Sequence, residues 1–136
     1  MNAVLDASVW VARLGRQDVF HEPVKAWMQA QRARDELFYA PDLLLAEIAG
    51  AVRRRLDDPA LAIRATERLL NLPSLRLVEM DRELLVSASR LAAELGLRGA
   101  DSTYVALAQR MNLPLVTFDT DQRERAGKRI SVDVIA

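Results

Sequence analysis

Hydrophobic and polar residues follow two different periods along this chain. Short apolar runs of the kind that form buried strands occur in five places: around Val4–Leu5, then at Leu37–Ala40, Leu75–Val78, Leu113–Phe118 and Ile130–Ile135. Between these runs the apolar residues recur every three or four positions, which is the period of an amphipathic helix. Strands that alternate with helices favour parallel pairing. The pattern therefore predicts an α/β sandwich with a central, mostly parallel sheet.

Turn-forming residues set the expected limits of several elements. Pro41 is expected to stop the second strand, because proline cannot donate to a strand ladder. Asp58-Pro59 and Asp81 have the form of helix starts, and Gly96 has the form of a helix end. A further helix is predicted over Ser102–Met111, and the last apolar run is expected to form an edge strand.

Composition limits the class of protein. A length of 136 residues without linker or repeat predicts a single domain over residues 1–136. The absence of cysteine excludes disulfides and zinc–thiolate sites. No apolar run approaches the roughly 20 residues of a membrane span, and the start does not resemble a signal peptide, so we expect a cytoplasmic protein. The 19 basic and 19 acidic residues give nucleic-acid binding no support from charge alone.

Four acidic residues are expected to meet at one edge of the sheet. Asp6 ends the first strand, Asp101 starts a helix, and Asp119 follows the next strand. In an α/β sheet, strands end and the following helices start at the carboxyl edge, where ligands bind. Glu47 is expected about one and a half turns into its helix, about 8 Å below that edge, which a glutamate side chain can span.

Each of these acids also has a purely structural interpretation. Asp101 could serve only as a helix N-cap, and Asp119 and Asp121 could form a turn. Glu47 could occupy an exposed position, although its apolar neighbours predict that it is half-buried. Asp6 interrupts an apolar strand, where a cap or a turn explains it poorly.

A divalent cation is the simplest compensation for four like charges at one edge, because the carboxylates repel one another without it. Oxygen ligands, no cysteine and a single histidine favour Mg²⁺ or Mn²⁺ over zinc. Carboxylates that hold such ions are suited to the hydrolysis of phosphodiester bonds. A metal-loaded pocket would also no longer repel RNA.

Three segments resemble the PIN-domain ribonucleases, specifically the VapC-type toxins of type II toxin–antitoxin pairs. They are VLDASVWVA at the start, PDLLLAEIAGAVRRR, and GADSTYVALAQRMNLPLVTFDTD. The resemblance covers nearly the whole chain. It implies a PIN-like three-layer α/β/α sandwich and an endoribonuclease dependent on Mg²⁺ or Mn²⁺. It also implies a homodimer and a cognate antitoxin whose tail covers the acidic pocket.

The same resemblance assigns roles to individual positions. The residues implied as catalytic, metal-binding acids are Asp6, Glu47, Asp101 and Asp119, with Asp121 as a further metal-binding acid and the hydroxyls of Ser8 and Thr117 as supporting groups. Either Asp119 or Asp121 could be the principal fourth acid. The segment after Asp121, QRERAGK, is expected to be a loop and lacks the aromatic residue that relatives often carry there.

Other functions fit parts of the sequence. An aspartyl-phosphate phosphatase also places an aspartate after its first strand, but it needs a second acid where Ser8 stands. A non-catalytic binding module would not need all four acids. A housekeeping PIN nuclease in RNA processing or repair would have the same site as a toxin, and the neighbouring gene would distinguish the two.

Several conspicuous residues have structural explanations. Arg53–Arg55 suit the end of a helix at least as well as an RNA contact. His21 is expected at a solvated helix start, and Trp10 and Trp27 fit packing in the core or in a dimer.

Overall fold

The computed structural model describes residues 1–135. That range contains five strands and seven helices, which in chain order are β1 (Ala3–Leu5), α1 (Ala7–Leu14), α2 (His21–Arg32), β2 (Phe38–Pro41), α3 (Leu44–Leu56), α4 (Pro59–Leu70), β3 (Leu75–Val78), α5 (Arg82–Leu95), α6 (Gly99–Met111), β4 (Leu115–Val116), α7 (Thr120–Ala126) and β5 (Val132–Asp133). Within these residues, no helix has the length and apolar character needed to span a membrane.

The five strands form one parallel sheet in the order β3-β2-β1-β4-β5. The chain moves outward from β1 through β2 to β3, and later returns to the other side of β1 to add β4 and β5. The order therefore reverses between β1 and β4. In open α/β sheets such a reversal leaves a crevice at the carboxyl ends of the two strands. The predicted parallel α/β fold is confirmed, and β5 is an edge strand as expected.

Helices cover the sheet and complete a three-layer α/β/α sandwich. α6 packs against β1, β2 and β4 and is covered in turn by α5. Every residue from 102 to 108 of α6 is buried, so this helix is enclosed on all sides. Trp10 is buried in the core, with its ring edge toward Phe38, and the half-buried Trp27 stacks on the same phenylalanine.

Several predicted limits of elements were wrong. The strand predicted over Ile130–Ile135 is reduced to the two residues of β5. Pro41 does not stop β2; it is the last residue of that strand and pairs with Val78. The pairing with β1 has already ended at Tyr39, so on that side no partner requires the proline's missing N–H. The helix predicted from Ser102 begins three residues earlier, at Gly99. The strand predicted over Leu113–Phe118 is reduced to the two residues of β4.

Two local expectations were also wrong. The segment after Asp121, expected to be a loop, instead forms most of the short helix α7 (Thr120–Ala126). His21, expected to be solvated, is buried, and its Nδ1 atom lies 2.9 Å from the carbonyl oxygen of Ala12. That hydrogen bond ties the start of α2 to α1, which makes His21 a packing residue.

Candidate active site

The structure brings the four predicted acids to the crevice between β1 and β4. Asp6 directly follows β1, and Asp119 lies three residues after β4, the neighbouring strand. Glu47 and Asp101 lie in the first turns of α3 and α6. The expected depth of Glu47, one and a half turns into its helix, was wrong, because α3 begins at Leu44 and Glu47 lies in its first turn. Glu47 therefore lies close to the carboxyl edge.

Asp6 is held by hydrogen bonds to both of its carboxylate oxygens. The Ser8 hydroxyl donates to Oδ1 and the Thr117 hydroxyl donates to Oδ2, each at 2.5 Å. The backbone N–H of Ser8 also donates to Oδ1 at 3.0 Å, so Asp6 is the N-cap of α1, contrary to the sequence-based expectation. Burial raises the pKa of Asp6 above its ordinary value, and the hydrogen bonds act in the opposite direction.

Glu47 is half-buried, as predicted, and has a partner that the sequence analysis missed. The Tyr104 hydroxyl donates to Glu47 Oε1 at 2.6 Å. Burial, followed by this hydrogen bond, raises the pKa of Tyr104. The phenol therefore stays protonated and remains a donor to the carboxylate. The only sequence signal for Tyr104 is its position one helical turn after Asp101, on the same side of α6.

Asp101 is not the cap of its helix. α6 begins two residues earlier with Arg98 as the N-cap residue, and within residues 1–135 no hydrogen bond reaches the Asp101 carboxylate. Its pKa is raised to about 6, first by burial and then by the negative charges of Asp119, Asp6 and Glu47. These four side chains thus lie close enough to interact electrostatically, and we refer to them as the acid cluster.

The two aspartates after β4 have different environments. The Asp119 carboxylate accepts the backbone N–H of Gln122 at 3.1 Å, which makes it the N-cap of α7, and it also acts on Asp101. Asp121 is exposed and forms an ion pair of 2.9 Å with Arg125. The structure therefore places Asp119, but not Asp121, in the acid cluster.

Two buried polar side chains connect the segments that carry the acids. The Thr117 hydroxyl, which donates to Asp6, also accepts the backbone N–H of Asp119 at 3.0 Å. Gln122 is only 1% exposed; its Oε1 atom lies 3.1 Å from the Thr117 hydroxyl, and its Nε2 donates to the backbone oxygen of Asp101 at 3.4 Å. Gln122 was not predicted as a site residue, because the segment that contains it was expected to be a loop and is a helix.

The comparison with known proteins identifies the family. The PIN domain family model matches residues 3–128. The chain is a PIN-domain protein. No curated protein matches the sequence.

Solved structures with the same fold include several from toxin–antitoxin systems. The VapC20 toxin of Mycobacterium tuberculosis, described as cleaving the sarcin-ricin loop, is 18% identical with a TM-score of 0.77, over 90% of this chain and 93% of that one. VapBC2 of Rickettsia felis, bound to promoter DNA, is 14% identical with a TM-score of 0.76, and all of both chains is covered. FitAcB of Neisseria gonorrhoeae is 24% identical with a TM-score of 0.69, over 100% and 97% of the chains.

The ligand atoms and the negative charge of the acid cluster in this PIN domain fit a hard divalent cation. The acid cluster offers carboxylate oxygens, which Mg²⁺ and Mn²⁺ prefer. Burial and then the three neighbouring carboxylates raise the pKa of Asp101, although the positive charge of Arg98 acts in the opposite direction. In residues 1–135, however, no three acidic or histidine side chains converge closely enough to hold an ion as they stand. Asp6 and Glu47 direct oxygens at hydroxyl partners, so binding requires their side chains to share those oxygens with the ion or to rotate.

Proposed function

We propose that this PIN domain is a metal-dependent endoribonuclease that hydrolyses RNA phosphodiester bonds, and that it acts as the toxin of a toxin–antitoxin pair. One observation carries the proposal: four acids from four separate segments interact at the crevice between β1 and β4, where burial and the charges of the other three acids raise the pKa of Asp101. Clusters of like charge are costly to fold. Binding of a cation and of an anionic substrate at the crevice would explain why the protein keeps such a cluster there.

In the proposed site, Asp6, Glu47, Asp101 and Asp119 hold Mg²⁺ or Mn²⁺. When bound there, such an ion would supply a water of lowered pKa and would offset negative charge on the scissile phosphate. The protein's own contribution is positional. Ser8 and Thr117 fix the two oxygens of Asp6, and Tyr104 fixes one oxygen of Glu47. The Asp101 carboxylate accepts no hydrogen bond within residues 1–135 and is thus available to a ligand.

The biological role rests on the resemblance and on the structural neighbours. VapBC and FitAB complexes share the fold, which supports an antitoxin protein as the partner. The resemblance supports a homodimer and a single domain over residues 1–136. Action on RNA would locate the protein in the cytoplasm. A housekeeping PIN nuclease would use the same acid cluster, so the partner, and not the site, distinguishes these two functions.

The cleavage test uses isosteric substitutions. Asp6→Asn, Asp101→Asn and Asp119→Asn should each abolish cleavage of single-stranded RNA in Mn²⁺, because each removes a charge while leaving the volume nearly unchanged. The losses should be large and non-additive, as for groups that act as a unit. Asp121→Asn should cost much less, since Asp121 is exposed and paired with Arg125.

The controls for this test are EDTA and the circular dichroism spectrum of each variant. Cleavage that continues in excess EDTA would refute the metal-dependent mechanism. A folded Asp101→Asn protein with full activity would remove that residue from the site. If Asp121→Asn were inactive and Asp119→Asn lost little activity, the fourth acid would be Asp121 and not Asp119.

A further inference from the structure

A groove of about 490 Å³ opens beside the acid cluster. It lies between α1, α3 and residues 18–20, which precede α2. Ser8 and Glu47 form part of its lining, so the groove is continuous with the side chains that surround the crevice.

Two phenylalanine rings form a flat surface in this groove. Phe20 and Phe118 stack with their centroids 4.2 Å apart and their planes at 11°, and both line the groove. Phe20 is 44% exposed, although it is a large apolar residue. The backbone N–H of Phe118 donates to the Ser8 hydroxyl at 3.1 Å, and the same hydroxyl donates to Asp6. This aromatic platform (Phe20 and Phe118) is therefore held in a defined position relative to the acid cluster.

The groove also contains a cation without an acidic partner. Among residues 1–135, Arg54 forms no ion pair, whereas its neighbour Arg53 pairs with Asp57. The Nη1 atom of Arg54 lies 3.1 Å from the point that a Cβ atom on Gly50 would occupy, so the glycine leaves room for the guanidinium. Arg54 follows Glu47 by seven residues, which places both on one face of α3, about 10 Å apart along the helix.

We propose that this groove binds a single-stranded segment of the RNA substrate, with a base stacked on Phe20 and a backbone phosphate on Arg54. The inference rests on the proposed nuclease function and adds to it the residues that hold the substrate outside the acid cluster. Aromatic faces stack any base, and a guanidinium fork matches a phosphate. Phe118 covers one face of the Phe20 ring, and Phe20 and Arg54 line the same groove as Glu47.

Binding of a fluorescein-labelled single-stranded RNA of mixed sequence to the full chain provides the first test. Fluorescence anisotropy in excess EDTA keeps the RNA intact, and the affinity is measured between about 50 and 200 mM salt. Arg54→Gln should reduce the slope of log K against log salt by about 0.7, the value for one phosphate contact on a single strand. Arg53→Gln, on the same helix but outside the groove, should leave the slope unchanged.

The aromatic platform is tested with a matched pair of substitutions. Phe20→Leu keeps an apolar side chain but removes the aromatic face, and should weaken binding about tenfold with no change in the salt slope. Phe20→Trp retains a stacking face and should restore binding. In Mn²⁺, Phe20→Leu and Arg54→Gln should raise KM for cleavage and leave kcat unchanged, because they remove contacts common to the ground and transition states.

Several results would overturn the inference. An unchanged salt slope and KM in Arg54→Gln would remove the phosphate contact. Wild-type affinity and KM in Phe20→Leu would remove the stacking contact. If wild-type protein cleaves RNA while the variants bind and cleave normally, the groove inference fails and the nuclease function stands. A wild type that neither binds nor cleaves RNA overturns both. Variants that handle RNA normally but escape inhibition by an antitoxin would assign the groove to a protein partner.

Discussion

At the scale of single residues, Asp101 shows what the acid cluster costs the folded protein. Its carboxylate is half-buried, accepts no hydrogen bond within residues 1–135, and lies near three other carboxylates. These conditions raise its pKa from 3.8 to about 6. The folded state therefore binds this proton more tightly than the unfolded chain does. The stability contributed by protonated Asp101 is full below pH 3.8 and is lost as the pH rises through about 6.

Asp101→Asn should therefore stabilise the metal-free protein at neutral pH. Asparagine carries no charge at any of these pH values. The variant therefore does not lose stability as the pH rises through about 6, whereas the wild type does. The gain should be on the order of 1 kcal/mol after allowance for solvent screening of a half-exposed group. Thermal or urea unfolding in EDTA at neutral pH and below pH 4 measures it, and the difference between the two proteins should disappear at the acidic end.

Added Mg²⁺ or Mn²⁺ supplies the control for this prediction. The metal should raise the melting temperature of the wild type, because it binds the folded acid cluster and not the unfolded chain. In Asp101→Asn the rise should be much smaller. An Asn variant that is less stable than the wild type in EDTA would show that the carboxylate supports the fold. An undiminished metal-induced rise would show that Asp101 is not a ligand.

The sequence located the acids but not the groups around them. Asp6, Asp101 and Asp119 could be placed at one edge, since strand ends and helix starts are local features that a sequence displays. Tyr104 and Gln122 could not be assigned roles in this way. Their hydrogen bonds join residues 57 and 21 positions apart, which depends on how the helices pack.

At the scale of elements, Asp119 has two roles at the start of α7. This residue caps the helix through the backbone N–H of Gln122, and its charge acts on Asp101. Asparagine and aspartate cap helices about equally well, whereas alanine does not. Asp119→Asn should therefore leave the free energy of unfolding nearly unchanged and abolish cleavage. Asp119→Ala should abolish cleavage and also lower the free energy of unfolding by about 1 kcal/mol.

Urea denaturation and the cleavage assay together measure these effects. Asp58, which caps α4 by accepting the N–H groups of Ala60 and Leu61, is the matched control. Asp58→Ala should lower stability by a similar amount and leave cleavage intact. If Asp119→Asn retained full activity, capping would be the whole role of Asp119.

The elements that were predicted well are those with a long periodic pattern. The helices α4 and α5 and the strand β3 carry such patterns or clear caps and form where expected, and α3 forms but begins later than expected. α7 has only seven residues, mostly polar, and helices of that length are not stable by themselves. It forms because Asp119 caps it and because Gln122 and Ala126 are buried against the fold. Those contacts are tertiary, so a local sequence pattern does not predict them.

At the scale of the whole molecule, the order of the strands was beyond the sequence analysis. The alternation of strands and helices predicts parallel pairing but does not say which strands are neighbours. The crevice exists because β4 returns to the side of β1 opposite β2. That arrangement explains why acids from the two ends of the chain meet.

The proposed toxin role gives a prediction for the whole molecule in the cell. Expression of the wild type alone should arrest growth, because cleavage of RNA stops protein synthesis. Asp101→Asn, which lacks the proposed activity, should be harmless at the same expression level. Co-expression of the neighbouring gene should relieve the arrest if that gene encodes the antitoxin. Growth and protein level are measured together, and harmless expression of an active nuclease would favour the housekeeping function.

The pairing of β1 with β4 also determines when during synthesis the protein can first act. The ribosome produces Asp6 before its partner Thr117 and the cluster member Asp119, which come more than a hundred residues later. Until β4 has emerged and joined β1, the acid cluster is incomplete. A nascent chain whose β4 is still in the exit tunnel therefore lacks the complete acid cluster, and a chain terminated before β4 never acquires it. For a protein proposed to destroy RNA, this delay protects the message and the ribosome that are producing it.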